Sequence, residues 1–160
     1  MSSLEQLYQQ VILDHSRRRS GFGPIAGLEY TSHQVNPTCG DEVTLGVKVG
    51  PDGQLDEVHW EGDGCSISQA SLSMMTEMVE GADLDRLRQL YHAMDTMMHS
   101  RGQGVDEELL DELEDAAALE GTSKFANRIK CSLLGWSALR DALAQAGYDI
   151  AITEEDSTDE

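Results

Sequence analysis

The alternation from Glu42 to Val49 limits this chain more than any other feature. Val43, Leu45, Val47 and Val49 fall on one side of it, which is the period-2 pattern of a strand with one buried face. Pro51-Asp52-Gly53 follows. Proline sets φ early in a turn and glycine tolerates positive φ, so the chain reverses here. Leu55 to Glu61, carrying Val58 and Trp60, returns as a second strand. The two runs therefore form an antiparallel hairpin. Tyr30 to Val35 adds a third strand, its length limited by Pro37.

Outside these runs the apolar period is that of a helix. Ser2-Ser3-Leu4-Glu5 has the form of a capping box, and Leu4, Leu7, Tyr8, Val11, Ile12 and His15 then recur at helical spacing, predicting a helix over 4–18. From Ser66 onward, Ile67, Ala70, Leu72, Met74, Met75, Met78 and Val79 suit a mostly buried helix over 68–80, with Gly81 as its left-handed terminator. Leu84 to Met98 reads as an amphipathic helix, Glu107 to Leu119 as an acidic one, and 129–146 as the last. Strands first and helices after give an α+β fold: a small antiparallel three-stranded sheet packed against several helices. Residues 1–150 are expected to form one domain, since about 68–70% of the unfolded surface is buried in chains of this size. Residues 151–160 form an acidic tail expected to be disordered.

Charge narrows the partners. Thirty Asp and Glu against 11 Lys and Arg give a net charge of −19, which repels nucleic acid and anionic membranes. Asp106 to Asp115 and Glu154 to Glu160 hold much of the acid and read as solvated. No run approaches a membrane span and Met1 to Gln10 lacks a signal-peptide pattern, so the expected location is cytoplasmic. There the three cysteines stay reduced, and three cannot pair completely, so a disulfide framework is a poor reading.

Each cysteine lies at the end of an element. Cys39-Gly40-Asp41 sits between two strands, where Gly40 lets a thiolate and a carboxylate face one point. Cys65 follows Gly62-Asp63-Gly64 and precedes a helix, whose free N–H groups and dipole favour a thiolate. Cys131, after Arg128-Ile129-Lys130, is expected at the start of the final helix, where the same dipole and two cations act. Cys39, Asp41, Cys65 and Cys131 together supply the four ligands that tetrahedral zinc takes. A lone free cysteine is more often a small buried hydrophobe, and spacings of 26 and 66 residues match no common zinc finger.

Other candidates have plainer readings. His92 and His99 share a helical face without a third ligand nearby in sequence, and His15, His33 and His59 are no stronger. The methionines at helical spacing in 74–98 read as core filling. Arg17-Arg18-Arg19, the one basic cluster, suits a protein partner better than a membrane.

Three motifs in register carry a resemblance. Pro37-Thr38-Cys39-Gly40-Asp41, Gly62-Asp63-Gly64-Cys65-Ser66-Ile67-Ser68-Gln69-Ala70-Ser71 and Arg128-Ile129-Lys130-Cys131 closely resemble the IscU/NifU-like proteins of iron–sulfur cluster assembly. The likeness runs from Val11-Ile12-Leu13-Asp14-His15 to the Cys131 helix. Two departures choose a branch. The scaffold branch has a histidine just before its third cysteine, where this chain has Lys130, and a Leu-Pro-Pro-Val-Lys chaperone motif, where this chain reads Ser123-Lys124-Phe125-Ala126-Asn127-Arg128. The gap from Cys65 to Cys131 is also longer, with the surplus around Gly102 to Glu120. Together these look like the SufU type.

That resemblance implies zinc on Cys39, Asp41, Cys65 and Cys131, and Cys39 as the catalytic acceptor of persulfide sulfur from a SufS-type cysteine desulfurase. A SufB-containing scaffold complex would receive the sulfur, and the activity would be sulfurtransferase-like. Arg128 and Lys130 are candidates to steady the site's negative charge or to touch the desulfurase. Iron or an iron–sulfur cluster on the same residues would instead make the chain a scaffold, and a site with all four ligands closed would make it a structural zinc domain.

Overall fold

The structure, a computed structural model, describes residues 3–38 and 40–151. The expected capping residue Ser2, the acceptor candidate Cys39 and the acidic run 154–160 lie outside the described residues. Among the described residues, three strands form one sheet in the order β1 (Tyr30–Asn36), β2 (Asp41–Val49), β3 (Leu55–Asp63), antiparallel throughout. Five α-helices among the same residues accompany it: α1 (Ser3–Arg18), α2 (Ser66–Val79), α3 (Leu84–His99), α4 (Glu107–Leu113) and α5 (Ala126–Gln145). The expected α+β fold is the observed one.

Alternation sets which sheet face is covered. Val43, Leu45 and Val47 of β2 and Leu55, Val58 and Trp60 of β3 are at most 1% exposed, and Leu45 pairs with Trp60 across the strands. The Trp60 indole donates to Ser20 O at 2.8 Å, so its polar edge is satisfied inside the core. Helix α2 is buried almost all round, with Ser68 to Thr76 buried in succession and α1 and α5 packed against it. Its Met74 and Met75, with Met94, Met97 and Met98 of α3, belong to the core, as read from the sequence. Helix α5 passes over both α2 and the sheet. A Cβ on Gly135 would come within 2.5 Å of Leu72, so glycine sets that helix spacing.

Two expectations about the second half change. The acidic helix over 107–119 ends early, at Leu113, because Glu114 is left-handed (φ 49°), and a 3-10 segment Glu114–Lys124 follows. Ala116, Ala117, Ala118 and Leu119 are all buried in succession. An amphipathic α-helix facing water on one side does not bury four consecutive residues. The other change is at the start of α5, which begins at Ala126 rather than near Ile129. None of the described helices is long and apolar enough to cross a membrane.

Candidate metal centre

One end of the sheet gathers the chemistry. Asn36 and Asp41 pair across β1 and β2, and the loop between them carries Pro37, Thr38 and Gly40 around position 39. Gly40 is left-handed (φ 74°) and donates to Asn36 O at 2.9 Å, the turn expected of it. Asp41 lies in phase with Val43, Leu45 and Val47, so its carboxylate sits on the inward face, 0% exposed. Beyond β3, Cys65 is the N-cap of α2 and remains exposed. Its backbone N–H donates to Asp41 Oδ1 at 2.9 Å, and its Sγ lies 3.7 Å from Asp41 Oδ2. Gly64 makes room for this contact, since a Cβ there would stand 2.7 Å from Asp41 Oδ1 and 2.4 Å from Ser68 Oγ.

Cys131 reaches the same point from α5 and is 2% exposed. It is the sixth residue of that helix rather than one of its first turn. A helix dipole acts within about one turn of the N-terminus, so it reaches Cys65 but not Cys131. Its sulfur instead accepts from Asn36 Nδ2 at 3.7 Å, a contact that sequence reasoning missed. Arg128 is exposed, its guanidinium 4.7 Å over the Phe125 ring, and Lys130 is exposed beside Pro37 and Thr38 along an open hollow of about 350 Å³.

Asp41, Cys65 and Cys131 present one oxygen and two sulfurs, all within 4.8 Å of one another. Tetrahedral zinc with Zn–S near 2.3 Å and Zn–O near 2.0 Å separates its sulfur and oxygen ligands by about 3.5 Å. The Cys65–Asp41 separation of 3.7 Å is close to that edge, so this donor set fits zinc. Soft sulfur with one carboxylate suits zinc or iron far better than magnesium or calcium.

A second polar cluster joins His15, Glu77 and Asp115. His15 is 1% exposed, with Nδ1 against Ser73 Oγ and Nε2 against Asp115 Oδ2, both at 2.8 Å. Glu77 holds Arg18 at 2.9 Å and Ser20 through a short hydrogen bond. Burial pushes the Glu77 carboxyl up, but the hydrogen bonds from Ser20 and Arg18, with the charges of His15 and Arg18, outweigh it and leave it below the usual carboxylate range. The bond to Glu77 correspondingly raises Arg18. These groups satisfy one another and fasten the 3-10 segment to α1 and α2. His99 turns back to Asp95 O at 2.8 Å and His92 meets Tyr91 edge to face, so the described structure does not bring those two histidines together at a ligand cluster.

The description "NifU-like N terminal domain" matches residues 7–132. The chain is 38% identical over 145 residues to the zinc-dependent sulfurtransferase SufU of Bacillus subtilis, covering 90% of this chain and 94% of that protein. It is 37% identical over 155 residues to the iron–sulfur cluster assembly scaffold protein IscU of Streptococcus pyogenes, covering 97% and 94%. Among solved structures, SufU of Fervidobacterium islandicum, a candidate cluster assembly scaffold for the SUF system, superposes with a TM-score of 0.72 at 30% identity, covering 89% and 99%. Sheet, helix order and sequence agree, and the chain belongs to the NifU-like N-terminal domain family, with IscU and SufU proteins among its relatives.

Proposed function

We propose that this protein serves iron–sulfur cluster assembly as a zinc-dependent sulfur acceptor, taking persulfide sulfur from a SufS-type cysteine desulfurase at Cys39. The observation that carries the reading is the convergence of Asp41, Cys65 and Cys131 beside the loop that bears Cys39. Asp41, Cys65 and Cys131 would hold the metal, with Cys39 as the fourth ligand. Zinc, when bound, keeps its cysteine ligands as thiolates near neutral pH. The Cys39 thiolate attacks the outer sulfur of the desulfurase persulfide. The sulfur–sulfur bond of the donor breaks, its cysteine leaves as a thiolate, and Cys39 carries the persulfide. The open hollow along Pro37, Thr38 and Lys130 gives a partner access to that loop. A SufB-containing scaffold complex is the proposed recipient.

The likeness to the S. pyogenes scaffold protein favours a second reading, in which a cluster is assembled on the same residues. Anaerobic metal analysis with a visible spectrum, followed by desulfurase turnover with and without the protein, separates the two. Colourless protein with one zinc per chain that raises turnover, an effect lost in Cys39→Ala, is the expected result. Brown protein holding iron and sulfide would establish the scaffold reading, and a Cys39→Ala variant that raised turnover as wild type does would overturn the acceptor role.

A further inference from the structure

Asn36 is 4% exposed, and three of its polar atoms contact the loop and the sulfur around it. Its side-chain nitrogen donates to Cys131 Sγ at 3.7 Å, and its side-chain oxygen accepts from Thr38 N at 3.3 Å. Its backbone oxygen accepts from Gly40 N at 2.9 Å. One side chain thus joins a sulfur donated by α5 to the loop at Thr38, just before position 39. We propose that Asn36 is the positioning residue of the centre: it sets the electron donation of Cys131 and, through Thr38, holds the loop that presents Cys39. The sulfur half rests on the zinc reading above, whereas the loop half does not.

The chemistry gives each half its own signature. An N–H donor on a thiolate withdraws electron density from the sulfur, and groups placed this way change metal affinity by about 10–100-fold when removed. A carbonyl accepting from a loop N–H slows exchange of that amide, because exchange needs the bond to open. An aspartate at this position keeps the acceptor for Thr38 but, ionised, has no N–H for sulfur, and a leucine keeps neither.

Both variants are made in the full chain, with far-UV circular dichroism reporting the fold. In metal-free protein, Asn36→Leu speeds exchange of the Thr38 amide, while Asn36→Asp leaves it at the wild-type rate. With cobalt(II) as the probe, the thiolate-to-metal charge-transfer band moves to lower energy in both. Zinc affinity, measured by chelator competition, falls tenfold or more in Asn36→Leu. A residue that merely filled space would leave the cobalt band in place in Asn36→Asp. Wild-type exchange at Thr38 in Asn36→Leu overturns the loop half, and an unmoved cobalt band in Asn36→Asp overturns the sulfur half. If the wild-type chain takes up neither zinc nor cobalt, the metal reading and the sulfur half fall together, while the Thr38 measurement still decides the loop.

Discussion

Replacing Asp41 with asparagine sets folding against metal binding, and the sign of the effect depends on zinc. The Asp41 carboxylate is 0% exposed and receives one backbone donor, Cys65 N–H at 2.9 Å. None of the ion pairs among the described residues includes it. In its ionised form a carboxylate buried without a counter-charge costs several kcal/mol. Asparagine removes the charge, keeps an oxygen for Cys65 N–H, and loses about 1 kcal/mol of charge assistance. The net gain is about 1–2 kcal/mol, or about 3–6 °C in Tm for a chain of this size. Zinc reverses the order. Losing a carboxylate ligand lowers affinity by roughly a hundredfold, which removes about 2.7 kcal/mol of the stabilisation that bound zinc provides. Thermal melts of wild type and Asp41→Asn, in chelator and then in excess zinc, read both terms. Asp41→Asn should melt above wild type in chelator and below it in zinc. A variant that melts lower in chelator, or that gains as much from zinc as wild type does, refutes the reasoning.

Three further outcomes follow from the same geometry. Gly135→Ala gains about 1 kcal/mol of helix propensity, but its Cβ would meet Leu72 at 2.5 Å in a site where Leu72 is 2% exposed. Overpacking of about 1–3 kcal/mol wins, so the expected result is a lower denaturant midpoint, and a raised one would mean that α2 and α5 separate easily. Glu77 lies below its ordinary value of 4.5 in the folded chain. Its contribution is therefore full above that value and lost as pH falls through the folded one. With the side chain 38% exposed the contribution is under about 1 kcal/mol, and Glu77→Gln should flatten the acid limb of stability against pH while leaving neutral pH little changed. In metal-free Cys39→Ser protein, iodoacetamide should label exposed Cys65 well before Cys131, which is 2% exposed. Mass spectrometry reads the order, and equal rates would mean that α5 opens at its start.

How far the candidate site was legible in the sequence differs from residue to residue. Asp41 was legible: carrying the alternation of Val43, Leu45 and Val47 back one step puts a carboxylate on the core face, and β2 does so. Cys65 was legible too, because the glycines before it and the apolar helical run after it mark a helix start, and it is the N-cap of α2. Cys131 was misplaced along its helix because Phe125, at the N-cap of α5, makes no side-chain capping bond and offers no signal that the helix begins there. The break at Glu114 had no local mark either, since its positive φ falls on a glutamate rather than on a glycine.

What brings Cys131 to Asp41 is a tertiary effect. Helix α5 faces α2 and the sheet with Gly135, Ala138 and Ala142 as well as larger apolar residues, and these small side chains leave space for close approach. A change at Gly135 that pushed α5 away from Leu72 would also carry Cys131, one turn earlier on the same helix, away from Asn36 and Asp41. Stability and metal affinity should therefore fall together in Gly135→Ala, whereas in Asp41→Asn without zinc they move in opposite directions. Chelator competition on both variants tests this, and wild-type affinity in a destabilised Gly135→Ala would show that the first turns of α5 are held by Asn36 and the 3-10 segment independently of the helix crossing.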